Sequence, residues 1–278
     1  MVRRSLHKIV SVLLVVVLLG GMAPGAIARV PDPQEDVQVT KQAAVAAPQS
    51  ASCSAVLVAG KSSGTTQGDV VLPDGIKAKP LSEQTLKEVL KKVLESPDGQ
   101  TMASLLEKEG YSLQEKRAMG YLFTTDDNKE IIGLAVPLSG SGEGWFVAAD
   151  TGSSIIVAGG TAHLEDKTRV IDLYDVRGGK LTNHTVIEQH PDGTLLNRAT
   201  GQAATQSSGN CNLCMFVCGL IKGTGCSLIG VPLCLFVSSA CGPDAPICWL
   251  MCMAMWVIVC NNITTPCSQV CRNLGYCP

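Results

Sequence analysis

The chain has 278 residues, 46% hydrophobic and 17% charged, with a formal net charge of −2. That length suits one or two domains, and the near-neutral balance excludes nucleic-acid binding through a basic surface. The charge is unevenly placed: residues 29–208 hold 17 Lys and Arg against 23 Asp and Glu, while residues 209–278 hold only Lys222, Asp244 and Arg272.

Residues 1–28 place Arg3, Arg4 and Lys8 before an apolar run from Ile9 to Leu19, which ends in Ala26-Ile27-Ala28. A basic start, a short apolar run and small residues at its end predict a secretory signal peptide, cleaved between Ala28 and Arg29. The run is too short to span a bilayer, which takes about 20 residues. The protein is therefore expected outside the cell, with the export machinery as a partner. In that setting cysteines are expected as disulfides.

Residues 29–75 are rich in Ala, Ser, Thr, Gly, Gln and Pro and lack helical or strand period, which predicts a flexible linker carrying a solitary Cys53. Structure is expected to begin near Leu81. In LSEQTLKEVLKKVLES the apolar residues Leu86, Val89, Leu90, Val93 and Leu94 share one helical face. Ser82 suits its cap and Ser96-Pro97-Asp98-Gly99 its end. TMASLLEKEG predicts a second helix, capped by Thr101 and ended by Gly110. Three hairpins follow: AMGYLF with EIIGLAVPL, WFVAAD with SIIVAGG, and TRVIDLYDV with LTNHTVIEQ. A further short strand lies in HPDGTLL. Residues 76–198 are thus predicted as an α+β domain: two helices covering one face of an antiparallel meander of about seven strands. Residues 199–210 are polar and nearly featureless, which predicts a second linker open to a processing protease.

From Cys211 to Pro278 twelve of 68 residues are cysteine: Cys211, Cys214, Cys218, Cys226, Cys234, Cys241, Cys248, Cys252, Cys260, Cys267, Cys271 and Cys277. That density and even count predict a disulfide scaffold. Cys214/Cys218, Cys248/Cys252 and Cys267/Cys271 are each spaced four apart, so each pair lies on one helical face and must reach another helix. Gly225, Gly230 with Pro232, and Gly242-Pro243 divide the segment into about four short helices. Only Cys211 and Cys214 have tight metal-site spacing, and no histidine follows His190. The uncharged run PICWLMCMAMWVIVC is shorter than a membrane span. It holds more bulky apolar residues than one helix face can hide, so Trp249, Met253 and Trp256 are expected as an apolar contact surface.

No enzyme, metal or cofactor is indicated. His163, His184 and His190 form no metal motif, and no nucleophile–base pair is visible. Asp126-Asp127-Asn128 suits a hairpin turn.

The opening CNLCMFVCGLIKGTGC and the ending CSQVCRNLGYC, with its Cys-x3-Cys-x5-Cys spacing, resemble the halocin precursors of haloarchaea, in particular the small "C-eight" class and its bacterial relatives. The resemblance covers about the last 68 residues. It implies that export is followed by cleavage, that residues 211–278 form an antimicrobial peptide, and that residues 76–198 act as a pro, escort or immunity module that binds it. A target-cell membrane or surface component would then be the peptide's other partner. The competing expectation is a cell-surface or membrane-associated structural protein anchored by its apolar, cysteine-rich tail.

Overall fold

The computed structural model describes residues 70–72, 75–205, 210–237 and 245–278. The expected signal peptide with Ala28 and Arg29, most of the first linker, Cys53 and Cys241 lie outside the described residues, as does the side chain of Cys248. The described residues belong to one compact unit, Gln49–Pro278.

The chain opens with strands β1 (Val70–Val71) and β2 (Lys77–Pro80), then helices α1 (Glu83–Glu95) and α2 (Pro97–Lys108). Ser82 caps α1 by accepting a hydrogen bond from the Thr85 amide at 3.2 Å. The second helix starts earlier than the expected Thr101. Ser96 ends α1 and at once caps α2, its hydroxyl oxygen accepting from the Gly99 amide at 3.0 Å. Pro97 sits in the first turn of α2, where it withholds an N–H that would have had no partner. A proline expected to stop one helix therefore starts the next.

Strand β3 (Ser112–Leu113) and a 3-10 turn lead into a long meander: β4 (Met119–Thr124), β5 (Glu130–Ser139), β6 (Glu143–Asp150), β7 (Ile155–Glu165), β8 (Thr168–Arg177), β9 (Lys180–Gln189), β10 (Thr194–Asn197) and β11 (Ala203–Thr205). Neighbours in sequence are neighbours in the sheet from β4 to β11, all antiparallel, with β2 and β1 added beyond β4 and β3 pairing β5. The three expected hairpins are present. The Asp126–Asn128 turn closes the first, with Asn128 at φ 58°, where a short polar side chain is tolerated better than most. The sheet exceeds the expected seven strands because β1, β2, β3 and β11 are only two to four residues long. Strands β1 and β11 fall in stretches expected as linker.

Four helices complete the chain: α3 (Asn210–Gly223), α4 (Gly230–Val237), α5 (Ala245–Asn261) and α6 (Cys267–Asn273). They form the small all-helical, disulfide-rich segment expected after the α+β region. Among the described residues no helix is long and apolar enough to cross a membrane.

Alternation along the strands divides the side chains between two cores. Leu134, Val136, Phe146, Ala148 and Val157 face α1 and α2, packing with Val89, Val93, Met102 and Leu106. Their neighbours Ala135, Val147, Ala149, Ala158 and Ala162 face the other way, against α3–α6. Strands buried on both faces read as near-continuous apolar runs, which is why β5 and β7 carry few charges. The sheet is thus the middle layer of three.

Candidate interaction site: the sheet face beneath the disulfide-laddered helices

The helical segment is held together first by sulfur. Cys211, Cys214 and Cys218 recur along one face of α3 and bond to Cys277, Cys271 and Cys267 on and after α6. The three bridges run antiparallel, like rungs. A fourth, Cys234–Cys252, joins α4 to α5. The four-residue spacings of Cys214/Cys218 and Cys267/Cys271 therefore reach across to each other's helix. Cys226 and Cys260 are present as thiols. Of the twelve expected bridge cysteines, eight are bridged among the described side chains.

The sheet meets this segment with small residues. A Cβ on Gly133 would lie 2.9 Å from both Met253 Cε and Phe123 Cε2, and one on Gly160 would lie 2.8 Å from Phe236 Cε2 and 3.0 Å from Pro232 Cβ. With Ala135, Ala149, Ala158 and Ala162 nearby, the backbone of β5–β7 is left open for large side chains from α4 and α5. Trp249 fills the opening over β4 and β5. Its ring centroid lies 5.4 Å from that of Tyr121 and 5.9 Å from that of Phe123, the latter edge-on. Such pairs add about 0.5–1.5 kcal/mol beyond area burial.

Trp249, Met253 and Trp256 were expected as an exposed contact surface. In the intact chain they are buried, at 0%, 0% and 2% exposure. One helix face cannot hide them, but α5 has neighbours on several sides. Trp249 and Met253 turn to the sheet, and the Trp256 indole N–H donates to the Cys226 carbonyl oxygen at 3.3 Å. The Trp249 indole nitrogen is buried with no hydrogen-bond partner among the described residues. An unpaired buried N–H costs about 1–3 kcal/mol.

Polar ties cross the same boundary at its edges. Arg169 on β8 donates to the Phe236 carbonyl at the end of α4, 3.0 Å away, and its guanidinium lies 5.4 Å from the Phe236 ring centroid. A second fork oxygen partner is Glu143, and Gln189 Oε1 accepts from the same side chain at 3.2 Å. Arg177 donates to the carbonyls of Thr224 and Gly225 at 3.3 and 3.2 Å. Both cations come from the sheet, and the three carbonyls lie at helix C-terminal ends of the helical segment, where the helix dipole favours positive charge. The helical segment's own cations are spent internally. Lys222 donates to the Thr265 carbonyl at 2.6 Å and Arg272 to the Pro278 carbonyl at 3.1 Å.

His163, His184 and His190 lie on the sheet domain. His184 Nε2 is 2.8 Å from Asp172 Oδ1, and its ring stacks on Tyr174 with centroids 4.9 Å apart. His163 Nδ1 is 3.9 Å from Asp172 Oδ2. No group of three His, Cys, Asp or Glu placed to hold a metal occurs among the described residues. Burial, with the charges of Asp172 and Glu109, pushes the Tyr174 phenol up to about 12. An unfolded tyrosine gives up its proton near the ordinary value of 10, so the unfolded state binds fewer protons between those values. Stability should therefore fall as pH rises from about 10 to about 12. Tyr174→Phe should flatten that part of the profile in urea midpoints measured against pH. An unchanged slope would assign the alkaline loss elsewhere.

The fold and the boundary define a class in physical terms: an antiparallel sheet domain that covers a cross-linked, apolar helical segment of its own chain. No family model, curated protein or solved structure matches the chain.

Proposed function

We propose that the chain is a secreted precursor in which residues 211–278 are a disulfide-stapled antimicrobial peptide, and the sheet domain is its escort or immunity module. One observation carries this reading. An apolar face of the cysteine-rich segment, with Trp249 and Met253, rests on small residues of a sheet from the same chain. An apolar, cross-linked peptide released bare into water would aggregate. A covalently attached partner covers it at high effective concentration.

The junction supports the same reading. Residues 203–205 are paired to β10, so a protease cannot engage them without opening the sheet. Gln206 to Gly209 lie outside the described residues and are polar or small. Cleavage there would leave the bridges intact, because every described bridge lies within residues 211–277. The unpaired Trp249 N–H also weakens a contact that release has to break.

The test is fractionation of producing cells with intact mass before and after reduction. A fragment starting within residues 206–211 should be found in the medium. It should inhibit related cells when oxidised and lose that activity after reduction and alkylation. Only full-length chain, held in the membrane fraction, would overturn the proposal and favour a surface-anchored structural protein.

A further inference from the structure

Cys226 and Cys260 are not explained by the four bridges. Cys226 lies in the turn between α3 and α4, and Cys260 in the last turn of α5. Both are partly exposed. They line one open cleft, with Trp256 and Ile131 as its apolar wall and Lys129 and Thr151 at the sheet side.

We propose that Cys226 and Cys260 are a dithiol site that takes a small-molecule disulfide as oxidant and closes into a further cross-link. Three observations on the page converge on it. The first is place: two cysteines from distant parts of the sequence line the same cleft, as a bond between them requires. The second is backbone. Cys226 has φ 60°, a left-handed conformation uncommon for a residue with a Cβ and easy for glycine. A side chain kept where glycine fits better points to a use for that side chain. The Trp256 indole N–H holds the Cys226 carbonyl in place. The third is connectivity. The described bridges tie α3 to α6 three times and α4 to α5 once, and none joins one pair of helices to the other. A Cys226–Cys260 bond would tie the end of α5 to the turn that follows α3.

One of the two cysteines, as its thiolate, displaces one thiolate from the incoming disulfide and is left as the mixed disulfide. The other then loses its proton to solvent base and attacks that protein sulfur, expelling the second thiolate. Two protein thiols become one bridge, and one external disulfide becomes two thiols. This holds whether or not the segment is antimicrobial, since it needs only an oxidising setting, which the four bridges already imply.

The test uses the full oxidised chain. It is equilibrated with oxidised glutathione, treated with iodoacetamide, and digested with pepsin at acid pH to stop exchange. Linked peptides are then identified by mass spectrometry. The expected result is a Cys226–Cys260 peptide pair, with neither cysteine alkylated and the other four bridges retained. Glutathione trapped during the reaction should sit on one of these two cysteines. The Cys226→Ser chain should leave Cys260 unlinked to any other cysteine of the protein. The proposal is overturned if both cysteines alkylate after equilibration or if either is linked to another cysteine.

Discussion

Trp249→Ala is expected to lower the stability of the full oxidised chain by about 3 kcal/mol. Replacing a buried Trp by Ala costs about 3–5 kcal/mol through lost transfer energy and the cavity left behind. Trp249 is wholly buried and contacts both Tyr121 and Phe123 across the boundary. The lower end applies because the substitution also removes an indole N–H that has no partner among the described residues. In a domain of this size the loss corresponds to a fall in Tm of roughly 6–12 °C. Gly133→Leu attacks the same contact from the opposite side, since even its Cβ would lie 2.9 Å from Met253 Cε. It should act in the same direction, by overpacking, without changing a residue of the helical segment. Urea unfolding followed by near-ultraviolet circular dichroism measures both. A loss below about 1 kcal/mol for Trp249→Ala would mean that the sheet and α5 are not energetically joined there.

That contact was only half legible in the sequence. The bulk of Trp249, Met253 and Trp256 marks a surface needing a partner, but periodicity describes only the helix's own faces. An apolar all-round helix says that it is covered and not by what. The covering layer leaves its trace elsewhere, in strands such as Ile131–Leu138 that are apolar on both faces. Two helices cannot cover both faces of a sheet, so a second layer was implied. Its identity was a long-range matter that local pattern does not carry. The hairpins were readable because their turns are built from Asp126-Asp127-Asn128 and Gly178-Gly179, whose φ values of 58° at Asn128, 58° at Gly178 and 69° at Gly179 suit those residue types.

The short strands escaped for the opposite reason. Lys77–Pro80 and Ala203–Thr205 lack β-branched or aromatic runs, and they are strands because a neighbouring strand offers its edge. Ser96 shows how one residue can be misread at a boundary: it closes α1 through its hydroxyl on the Val93 carbonyl and opens α2 through the Gly99 amide. For the cysteines, the four-residue spacing gave the face but not the partner. Cys211 pairs with Cys277 and Cys218 with Cys267 because α3 and α6 run antiparallel, and helix direction is set by the packing of all four helices.

The rung-like arrangement makes the second large effect non-additive. Taken alone, Cys214–Cys271 spans 57 positions, and closing a loop of that size restricts the unfolded chain by about 4 kcal/mol in the chain-entropy account. With Cys211–Cys277 and Cys218–Cys267 intact, the same bond closes only the few residues between neighbouring rungs. Replacing Cys214 and Cys271 together by Ala should then cost about 2 kcal/mol, and the chain should stay folded. Replacing all six rung cysteines by Ala releases the long loop at once. That loss should exceed about 4 kcal/mol, which is a large fraction of a typical domain's stability of about 5–15 kcal/mol. Residues 211–278 should then become protease-sensitive at temperatures where the double variant resists. Limited proteolysis with mass readout, beside denaturant midpoints, separates the two cases. If removing the middle rung costs as much as removing all three, the bridges do not act as a ladder. The apolar contact with the sheet, rather than sulfur, would then be what orders α3 against α6.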